Sequence, residues 1–331
     1  MNMEIADELR AVAALPYEWE KLNGKTLLIS GGTGFIGNAI IDVICLRNRL
    51  YKNDIKVISL SRHPKPNKPG VTYLQADVNQ KIDIPYKVDY VLHLASNTHP
   101  AQYASDPVGT ILTNVLGCKN LLDAACADSS RFLLASSVEI YGQCGETPVD
   151  ESYCGYIDCN TARAGYNEAK RTCESLVQSY RAQYGVNASI VRLARCFGTD
   201  VTKKDTKAMA QFMSAALNGE DIVLKSEGKQ RYSYCFYADA VSGILKVLLD
   251  GVDGEVYNIS DDDDGSSLYD IASFIASCAG RKVVIDLSNA VAGASKATYA
   301  LIDCKKIKSL GWTPLYTVKQ GIKLCLCGDL R

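Results

Sequence analysis

This chain of 331 residues has a net charge close to zero, few histidines and no long apolar run. The formal net charge is −1, so no overall basic field attracts nucleic acid or an anionic membrane surface. No stretch approaches the roughly 20 uninterrupted apolar residues that a membrane span needs. The N-terminus carries acidic residues early and lacks a basic start followed by an apolar run, which argues against a secretory signal. We therefore expect a cytoplasmic protein with no nucleic-acid or membrane partner.

Metal-binding patterns are also lacking, although cysteine is frequent. The chain has 13 cysteines and only three histidines, and the cysteines are scattered. Cys154 and Cys159 are too far apart in the sequence for a CxxC pair, while Cys325 and Cys327 have no second pair or histidine cluster near them. We expect no metal site, and we expect free thiols in a reducing compartment.

Residues 25–194 show a regular alternation of apolar strands and helices. Strands that are apolar throughout are typical of a parallel sheet covered on both faces. The sequence thus predicts an α/β fold with a doubly wound, Rossmann-type parallel sheet over 25–194, after a helical N-terminal extension over 1–24. Residues 195–331 are expected to form mainly a smaller C-terminal α/β lobe that binds substrate. The predicted strands are 25–30, 55–61, 71–77, 88–96, 131–137 and 187–194, and the long helices are 105–127 and 162–184.

A glycine-rich loop links the first predicted strand to its helix. In the segment SGGTGFIG, one glycine permits a tight turn, one lets the backbone approach a pyrophosphate, and one allows close packing of helix and strand. The free N–H groups at the start of the helix favour an anion there. We therefore predict NAD(P)+ as the cofactor. The predicted contacts from the loop are Gly31, Thr33, Gly34, Phe35, Ile36 and Gly37.

The end of the second predicted strand bears on the choice between NAD and NADP. An NAD enzyme normally places an acidic residue there to accept the ribose hydroxyls. This chain has Ser61 followed by Arg62. A neutral residue beside a guanidinium tolerates a 2′-phosphate and favours NADP. Arg62 stacking on the adenine or facing solvent are the alternatives, and they leave NAD open.

Three side chains predict proton-transfer chemistry. Tyr166 and Lys170 are four residues apart and so share one face of a helix, and Ser137 ends the fifth predicted strand. A lysine ammonium beside a tyrosine favours the phenolate, so we expect Lys170, with the positive charge of a nicotinamide, to lower the pKa of Tyr166. Tyr166 is then a base for a substrate hydroxyl, and Ser137 hydrogen-bonds the same oxygen. A Tyr and a Lys at this spacing also occur on ordinary surface helices, and only the preceding glycine loop and serine strand make the pattern specific.

These motifs together resemble the extended short-chain dehydrogenase/reductase family of nucleotide-sugar epimerases, dehydratases and decarboxylases. The resemblance runs from residue 25 to about 320, and the GxxGxxG spacing of the glycine loop is the form typical of the superfamily. It implies a nucleotide-linked sugar as substrate. It also implies that Asp77 contacts the adenine, although Asp77 is equally suited to cap a strand end, and we expect Val78, Leu94 and Ala95 at the cofactor. The supporting segments are SGGTGFIG, VDYVLHLAS, TNVLGCKNLL, RFLLASSVEIYG, YNEAK, GKQRYSYCFYADAV and LGWTP.

Within that family, residues 151–171 are similar to the UDP-glucuronate decarboxylases. Decarboxylases and 4,6-dehydratases carry a glutamate two residues beyond the catalytic hydroxyl residue, and Glu139 stands there. Dehydratases acting on dTDP-glucose have an acid just before that glutamate, where this chain has Val138. The resemblance therefore implies a decarboxylase-like reaction through transient oxidation at C4, with Glu139 as a catalytic residue. A 4-epimerase, a 4,6-dehydratase and a non-catalytic dinucleotide-binding protein are the alternatives.

Two arginines depart from the pattern of the family. Arg195 replaces an asparagine that commonly touches the substrate, and Arg231 precedes Tyr232, which stands at the usual phosphate-binding arginine. Either arginine can grip a diphosphate or a uronate carboxylate, so we predict both as substrate-binding residues, with solvent exposure as the alternative. Family members pair the helices at 105–127 and 162–184 between subunits, which implies a homodimer.

Overall fold

The computed structural model describes residues 6–63, 68–98, 100–198, 207–261, 265–288 and 298–328. A parallel sheet of seven strands forms its centre, in the spatial order β3-β2-β1-β4-β5-β6-β11. The order reverses direction between β1 and β4, which is the switch point of a doubly wound fold. The predicted fold class is confirmed. The strands of this sheet are β1 Thr26–Ser30, β2 Lys56–Ser61, β3 Val71–Gln75, β4 Tyr90–His93, β5 Arg131–Ser137, β6 Ala188–Leu193 and β11 Val256–Ile259.

Both faces of the sheet are buried because each central strand is apolar on both sides. In β1, Leu27 and Ile29 belong to the larger core, and Leu28 between them belongs to the smaller one. Successive side chains of a strand point to opposite faces, so the two cores are the two sides of the sheet. The larger core includes residues of helices α1 Asp7–Ala14, α2 Phe35–Tyr51 and α7 Tyr237–Asp250, and the smaller includes residues of α4 Pro107–Asp128 and α5 Ala164–Tyr184.

The N-terminal segment packs on the side of α2 and α7. It consists of α1 and a short 3-10 helix over Trp19–Leu22, and Trp19 is buried. The guanidinium of Arg47, from α2, lies 4.8 Å from the Trp19 ring centre and donates through Nη1 to the Ala13 carbonyl at 3.0 Å. The segment thus extends the core beneath the sheet and lies apart from the carboxyl ends of the strands.

Most elements after residue 194 are short, and their strands do not join the main sheet. Among the described residues they form three two-stranded parallel pairs, β7 with β10, β8 with β12, and β9 with β13. These elements are β7 Arg195–Phe197, α6 Ala208–Leu217, β8 Ile222–Leu224, β9 Arg231–Tyr232, β10 Tyr234–Phe236, α8 Leu268–Ala279, β12 Val283–Ile285, β13 Tyr299–Ala300, α9 Lys305–Lys308 and α10 Val318–Gly328. A short α3, Pro100–Ser105, and a 3-10 turn over Val138–Tyr141 complete the helices of the first half.

Strand β11 differs from the sequence-based expectation. Residues 195–331 were expected to form mainly the smaller lobe, whereas Val256–Ile259 pairs with Ile190–Leu193 as the edge strand of the main sheet. A short apolar run predicts a strand but carries no information on which sheet it joins. The main sheet is therefore built from both halves of the chain.

No helix in the described part of the chain is long and apolar enough to cross a membrane. Over the same residues, no group of three or more His, Cys, Asp or Glu side chains is arranged to hold a metal ion.

Candidate active site

One cavity of about 780 Å³ opens at the carboxyl ends of β1, β2, β4 and β5 and extends between the sheet and the smaller elements. Ligands bind at this edge in doubly wound folds because the strand order reverses there. The cavity walls include every residue predicted to bind the cofactor, which are Gly31, Thr33, Gly34, Phe35, Ile36, Gly37, Ser61, Arg62, Asp77, Val78, Leu94 and Ala95, together with Tyr166 and Lys170, which were predicted as both cofactor-binding and catalytic. They also include Ser137, Glu139 and Arg195.

Two positions of the glycine loop require glycine, because a Cβ there would collide with neighbouring backbone atoms. Gly31 has a φ of +73°, and a Cβ on it would lie 2.8 Å from the Ala95 nitrogen. A Cβ on Gly37 would lie 2.2 Å from the Gly31 carbonyl oxygen, so the first turn of α2 packs directly on the loop. Gly34 begins that helix, and among the described residues no side chain caps it. The first N–H groups of α2 are therefore available to an anion, and the loop fits the pyrophosphate of a dinucleotide.

The far end of the cofactor wall is formed by the ends of β2 and β3. Ser61 donates through Oγ to the His63 carbonyl at 2.6 Å and accepts from the His63 N–H at 3.2 Å. Arg62 is exposed at the cavity rim. Asp77 accepts from the Asn79 N–H at 3.0 Å and so caps the turn after β3 while lining the cavity. A serine and an arginine thus stand where an NAD enzyme places a carboxylate.

A buried histidine beneath the cavity was given no role by the sequence. The hydroxyl of Ser30 lies 2.7 Å from Nδ1 of His93 and accepts from the Ala95 N–H at 3.2 Å. Burial, with a smaller contribution from the charge of Lys170, lowers the pKa of His93 to about 3. His93 is therefore neutral, and it holds the ends of β1 and β4 together under the glycine loop.

Tyr166 and Lys170 lie on the cavity side of α5, next to the end of β5. Both are buried, and the Lys170 ammonium lies 6.0 Å from the centre of the Tyr166 ring and donates to the Ala135 carbonyl at 2.9 Å. Ser137 ends β5, and its hydroxyl is hydrogen-bonded to Tyr166. The structure thus joins the three predicted side chains at one point of the cavity wall.

The protein's own groups shift the pKa of Tyr166 in the direction opposite to our expectation. Burial, with a smaller contribution from the nearby carboxylate of Glu139, raises the pKa of Tyr166 to a net value of about 12. Hydrogen bonds from Ser137 and Tyr103 and the charge of Arg163 lower it in part. Burial also lowers the pKa of Lys170. Desolvation therefore outweighs the lysine charge, because Lys170 lies at 6.0 Å from the ring and gives its hydrogen bond to a carbonyl.

Tyr103 is a member of the site that the sequence did not reveal. It follows β4 in the short helix α3, is buried, and its ring is stacked on Tyr166 with the ring centres 4.7 Å apart and an angle of 21° between the planes. The guanidinium of Arg163 lies 5.1 Å from the Tyr103 ring centre. Tyr103 therefore holds the Tyr166 ring from the side opposite the helix.

Glu139 is held between two arginines. Its Oε2 accepts from Nη2 of Arg163 at 2.9 Å, and its Oε1 accepts from Nη2 of Arg195 at 3.1 Å. Asn167 donates to the Glu139 backbone carbonyl at 2.7 Å, which ties the turn after β5 to α5. The Arg195 guanidinium also lies 3.6 Å from the centre of the Tyr232 ring. Arg163 was noted in the sequence only as part of a family-like segment, and the structure brings it to Glu139.

Arg231 does not reach the cavity with the other predicted residues. It is exposed, and its Nε donates to the Gly265 carbonyl at 2.5 Å. Its neighbour Tyr232 lines the cavity, and the guanidinium of Arg195 lies over the Tyr232 ring. The two residues form β9, in which adjacent side chains point to opposite sides.

The wall opposite the glycine loop comes from the second half of the chain. It combines apolar side chains from α6 and β8 with polar groups that follow β8. Sequence reasoning assigned no residue here because short mixed elements carry no distinctive motif. The described residues of this wall are Lys207, Ala208, Met209, Gln211, Phe212, Val223, Leu224, Lys225, Ser226, Gln230 and Leu268.

Comparison with known proteins identifies the family of the chain. The NAD dependent epimerase/dehydratase family matches residues 27–260. UDP-glucuronic acid decarboxylase 5 of Arabidopsis thaliana is 30% identical over 306 residues, covering 90% of this chain and 87% of its own length. UDP-glucuronic acid decarboxylase 1 of Danio rerio is 28% identical over 309 residues, covering 90% of this chain and 71% of its own length.

Solved structures show the same fold. A UDP-glucose 4-epimerase of Thermotoga maritima, with UDP-glucose, has a TM-score of 0.79 at 21% identity and covers 92% of this chain and 100% of its own. A dTDP-glucose 4,6-dehydratase of Streptomyces venezuelae, with NAD bound, has a TM-score of 0.76 at 21% identity and covers 91% and 96%. The predicted family and the expectation of an NAD(P)-type enzyme are thereby confirmed at the level of the family. This chain belongs to the NAD dependent epimerase/dehydratase family.

Proposed function

We propose that the protein modifies a nucleotide-linked sugar through transient oxidation at C4, and that it acts as a decarboxylase on UDP-glucuronate. One observation carries the proposal. The glycine loop, the group of Ser137, Tyr166 and Lys170, and the Glu139 carboxylate between its two arginines all line a single cavity. The names of the similar curated relatives point to the same reaction.

The residues of the protein supply binding and proton transfer. A bound NAD(P)+ supplies a reversible acceptor for the hydride from C4 of the sugar. Tyr166 accepts the proton of the C4 hydroxyl as the C4–H bond breaks, and Ser137 hydrogen-bonds the same oxygen. Lys170, fixed by the Ala135 carbonyl, places a positive charge beneath Tyr166. The α2 N-terminus and the glycine loop hold the pyrophosphate.

Oxidation at C4 makes loss of carbon dioxide possible. The new ketone lies β to the C6 carboxylate, so its oxygen accepts the electron pair of the C5–C6 bond as carbon dioxide leaves. A proton then adds at C5, and C4 is reduced again while Tyr166 returns its proton to the oxygen. Glu139 is suited to orient the sugar or to relay a proton. No net oxidation of the sugar occurs.

A 4,6-dehydratase reaction is the second candidate, because Glu139 lies in the turn just after Ser137 and lines the cavity. In that role Glu139 removes the C5 proton of a neutral hexose. Val138, beside it, cannot protonate a leaving C6 hydroxyl, which argues against the dTDP-glucose type. A 4-epimerase shares the first oxidation step.

A panel of nucleotide sugars separates these reactions. We expect the purified protein with NAD(P)+ to convert UDP-glucuronate into a product lighter by 44 mass units, about one carbon dioxide, as read by mass spectrometry. A loss of about 18 units from a neutral hexose nucleotide, with solvent deuterium at C5, identifies the dehydratase instead. Glu139→Gln separates the two reactions further. It should slow decarboxylation if the protein is a decarboxylase, and it should stop dehydration after formation of the 4-keto sugar if the protein is a dehydratase.

We infer in addition that the cofactor site accepts NADP. Ser61 and Arg62 present a hydroxyl and a guanidinium where a carboxylate would repel a 2′-phosphate. In a fluorescence titration NADP+ should bind at least as tightly as NAD+, and Ser61→Asp should weaken NADP+ by about 10-fold or more while sparing NAD+. Arg49→Gln, at an exposed arginine of α2, is the matched control. Binding of NAD+ alone by the unmodified protein would contradict the inference.

A further inference from the structure

We propose that Arg163 and Arg195 form a binding site for the carboxylate of a uronic-acid nucleotide sugar. The inference deepens the proposed function and rests on it. Arg163 and Arg195 are the two side chains that recognise the acid, and Glu139 is their counterion within the protein. Arg231 takes no part in that recognition.

Both arginines hold a donor that the protein leaves unused. Among the described residues, neither Nη1 of Arg195 nor Nε of Arg163 has a hydrogen-bond acceptor, although both atoms are buried. Each guanidinium already gives Nη2 to a different oxygen of Glu139 and lies over an aromatic ring, that of Tyr103 or Tyr232. The two arginines are therefore fixed in place with a donor each to spare. Buried unpaired donors cost free energy that an anionic ligand recovers.

The cluster formed by Arg163, Arg195 and Glu139 carries an excess positive charge that one further anion would neutralise. Two guanidinium groups and one carboxylate leave a net charge of +1. The three side chains are only 17% to 23% exposed, so this charge is partly desolvated. A single carboxylate neutralises the cluster, whereas a neutral hexose leaves the excess charge in place. The diphosphate carries more charge than the cluster can balance.

The position of the cluster selects the carboxylate of the sugar over the diphosphate. Arg163 lies against Tyr103, which is stacked on Tyr166, and Glu139 follows Ser137 in the turn after β5. The cluster thus adjoins the two groups that hold O4 of the sugar. In a pyranose ring the C6 substituent sits on C5, next to C4, while the diphosphate leaves from C1 across the ring. A group beside the reacting C4 centre therefore reaches either the C3 hydroxyl or the C6 substituent, and only a C6 carboxylate supplies the negative charge that the two arginines and Glu139 lack.

Calorimetric titration with three ligands tests the assignment on the NAD(P)H-loaded protein, because the reduced cofactor cannot accept hydride and UDP-glucuronate then binds without turnover. UDP-glucuronate, UDP-glucose and UDP differ in the C6 carboxylate and then in the whole sugar. We expect the unmodified protein to prefer UDP-glucuronate to UDP-glucose. Arg195→Gln and Arg163→Gln should each weaken UDP-glucuronate by about 10- to 100-fold and leave UDP-glucose and UDP within about 2-fold. Arg195→Lys keeps the positive charge but loses the paired N–H donors of the guanidinium. Its affinity for UDP-glucuronate should therefore lie between those of the unmodified protein and Arg195→Gln.

The outcomes separate this proposal from the proposed function. Equal weakening of all three ligands would assign the arginines to the diphosphate, and unchanged affinity for UDP-glucuronate in Arg195→Gln would exclude a carboxylate contact; either result overturns the proposal. Arg49→Gln controls for removal of a surface arginine, and Arg195→Gln suffices if Arg163→Gln fails to fold. A protein that binds UDP-glucuronate selectively through both arginines but releases no carbon dioxide refutes the decarboxylase and keeps the carboxylate site.

Discussion

Tyr166 is the residue on which the proposed chemistry depends most directly. It is buried, hydrogen-bonded to Ser137 and stacked on Tyr103, so replacement by phenylalanine removes only the hydroxyl. We expect Tyr166→Phe to lower turnover by at least the roughly 100- to 10,000-fold typical of a general base. Cofactor affinity, measured by fluorescence titration, should stay nearly unchanged. A variant that keeps most of its activity would refute the assigned mechanism.

Tyr103 should act through the ionisation of Tyr166. Its hydroxyl hydrogen-bonds Tyr166 and thereby lowers the Tyr166 pKa, which burial raises to about 12. In Tyr103→Phe the ring contact remains and the hydrogen bond is lost, so the pKa of Tyr166 should rise further. The rate then falls several-fold at neutral pH and recovers at higher pH, because the phenolate is the reactive form.

The pH profile of turnover distinguishes this role from a structural one when it is followed up to the pH at which the rate levels off. The NAD(P)+-loaded protein is used, because the positive charge of the cofactor lowers the pKa of Tyr166. Tyr103→Phe should move the rising limb to higher pH, whereas a packing defect lowers the rate equally at every pH. Tyr73→Phe is a matched control, since Tyr73 lies on β3 and is not among the cavity residues. Superimposable profiles for Tyr103→Phe and the unmodified protein would contradict the assignment.

The residues of the site differ in how far the sequence could reveal them. Tyr166, Lys170 and Ser137 were predictable because their spacing follows from a helix face and a strand end. Arg163 was not, since only the folded loop after β5 brings it to Glu139. Arg231 does not line the cavity whereas its neighbour Tyr232 does, because on a strand a shift of one residue turns a side chain from one side to the other.

At the scale of elements, α4 carries an apolar stripe that the monomer leaves exposed. Val108, Ile111, Leu112 and Leu116 recur at helical spacing and are 36% to 66% exposed. We propose that this stripe is the contact of a homodimer. Light scattering should give twice the chain mass of 36.0 kDa. Leu112→Glu should give the monomer mass, because it places a charge in the middle of the stripe.

The matched control for the stripe is Val252→Glu, at a valine that is 57% exposed in the turn before β11. It should leave the mass at that of the dimer. A monomer in the unmodified protein at micromolar concentration, or a dimer that survives Leu112→Glu, would contradict the proposed contact. Cofactor binding by each variant shows whether it has folded.

Element positions were predictable to within a few residues where apolar runs were long. β5 and α5 illustrate this, since the expected ranges 131–137 and 162–184 compare with Arg131–Ser137 and Ala164–Tyr184. It was harder to predict from the sequence which strand a given strand pairs with. β11 joins β6 through pairing that spans more than sixty residues, and nothing in its local pattern specifies that neighbour.

At the scale of the whole molecule, two buried carboxyl groups in the described part of the chain should govern the pH dependence of stability. Asp239 accepts from the backbone N–H groups of Leu315 and Tyr316 and so attaches the C-terminal segment to α7. Asp261 accepts from the Phe236 N–H. Burial raises the pKa of Asp239 from 3.8 to about 7, and burial together with the charge of Asp239 raises the pKa of Asp261 to about 9.

The sign of the effect follows from proton binding. A carboxyl group whose pKa is higher in the folded than in the unfolded protein binds more protons when folded, so stability falls as the pH rises between the two values. For these residues the range runs from about pH 4 to about pH 9. Asp261→Asn keeps an acceptor for Phe236 and cannot ionise. It should therefore lose less stability than the unmodified protein between pH 5 and pH 9, by about 1–3 kcal/mol.

Urea unfolding at several pH values measures this difference, and a second aspartate provides the control. The hydrogen bond from Arg181 lowers the pKa of Asp253 to about 2, so Asp253 is ionised in both states above pH 5. Asp253→Asn should lower stability by a similar amount at every pH and leave the slope unchanged. If Asp261→Asn also leaves the slope unchanged, the buried pair is not the origin of the pH dependence. The slope thus tests whether the carboxyl group of Asp261, buried at the start of α7, makes the stability of the whole fold fall as the pH rises.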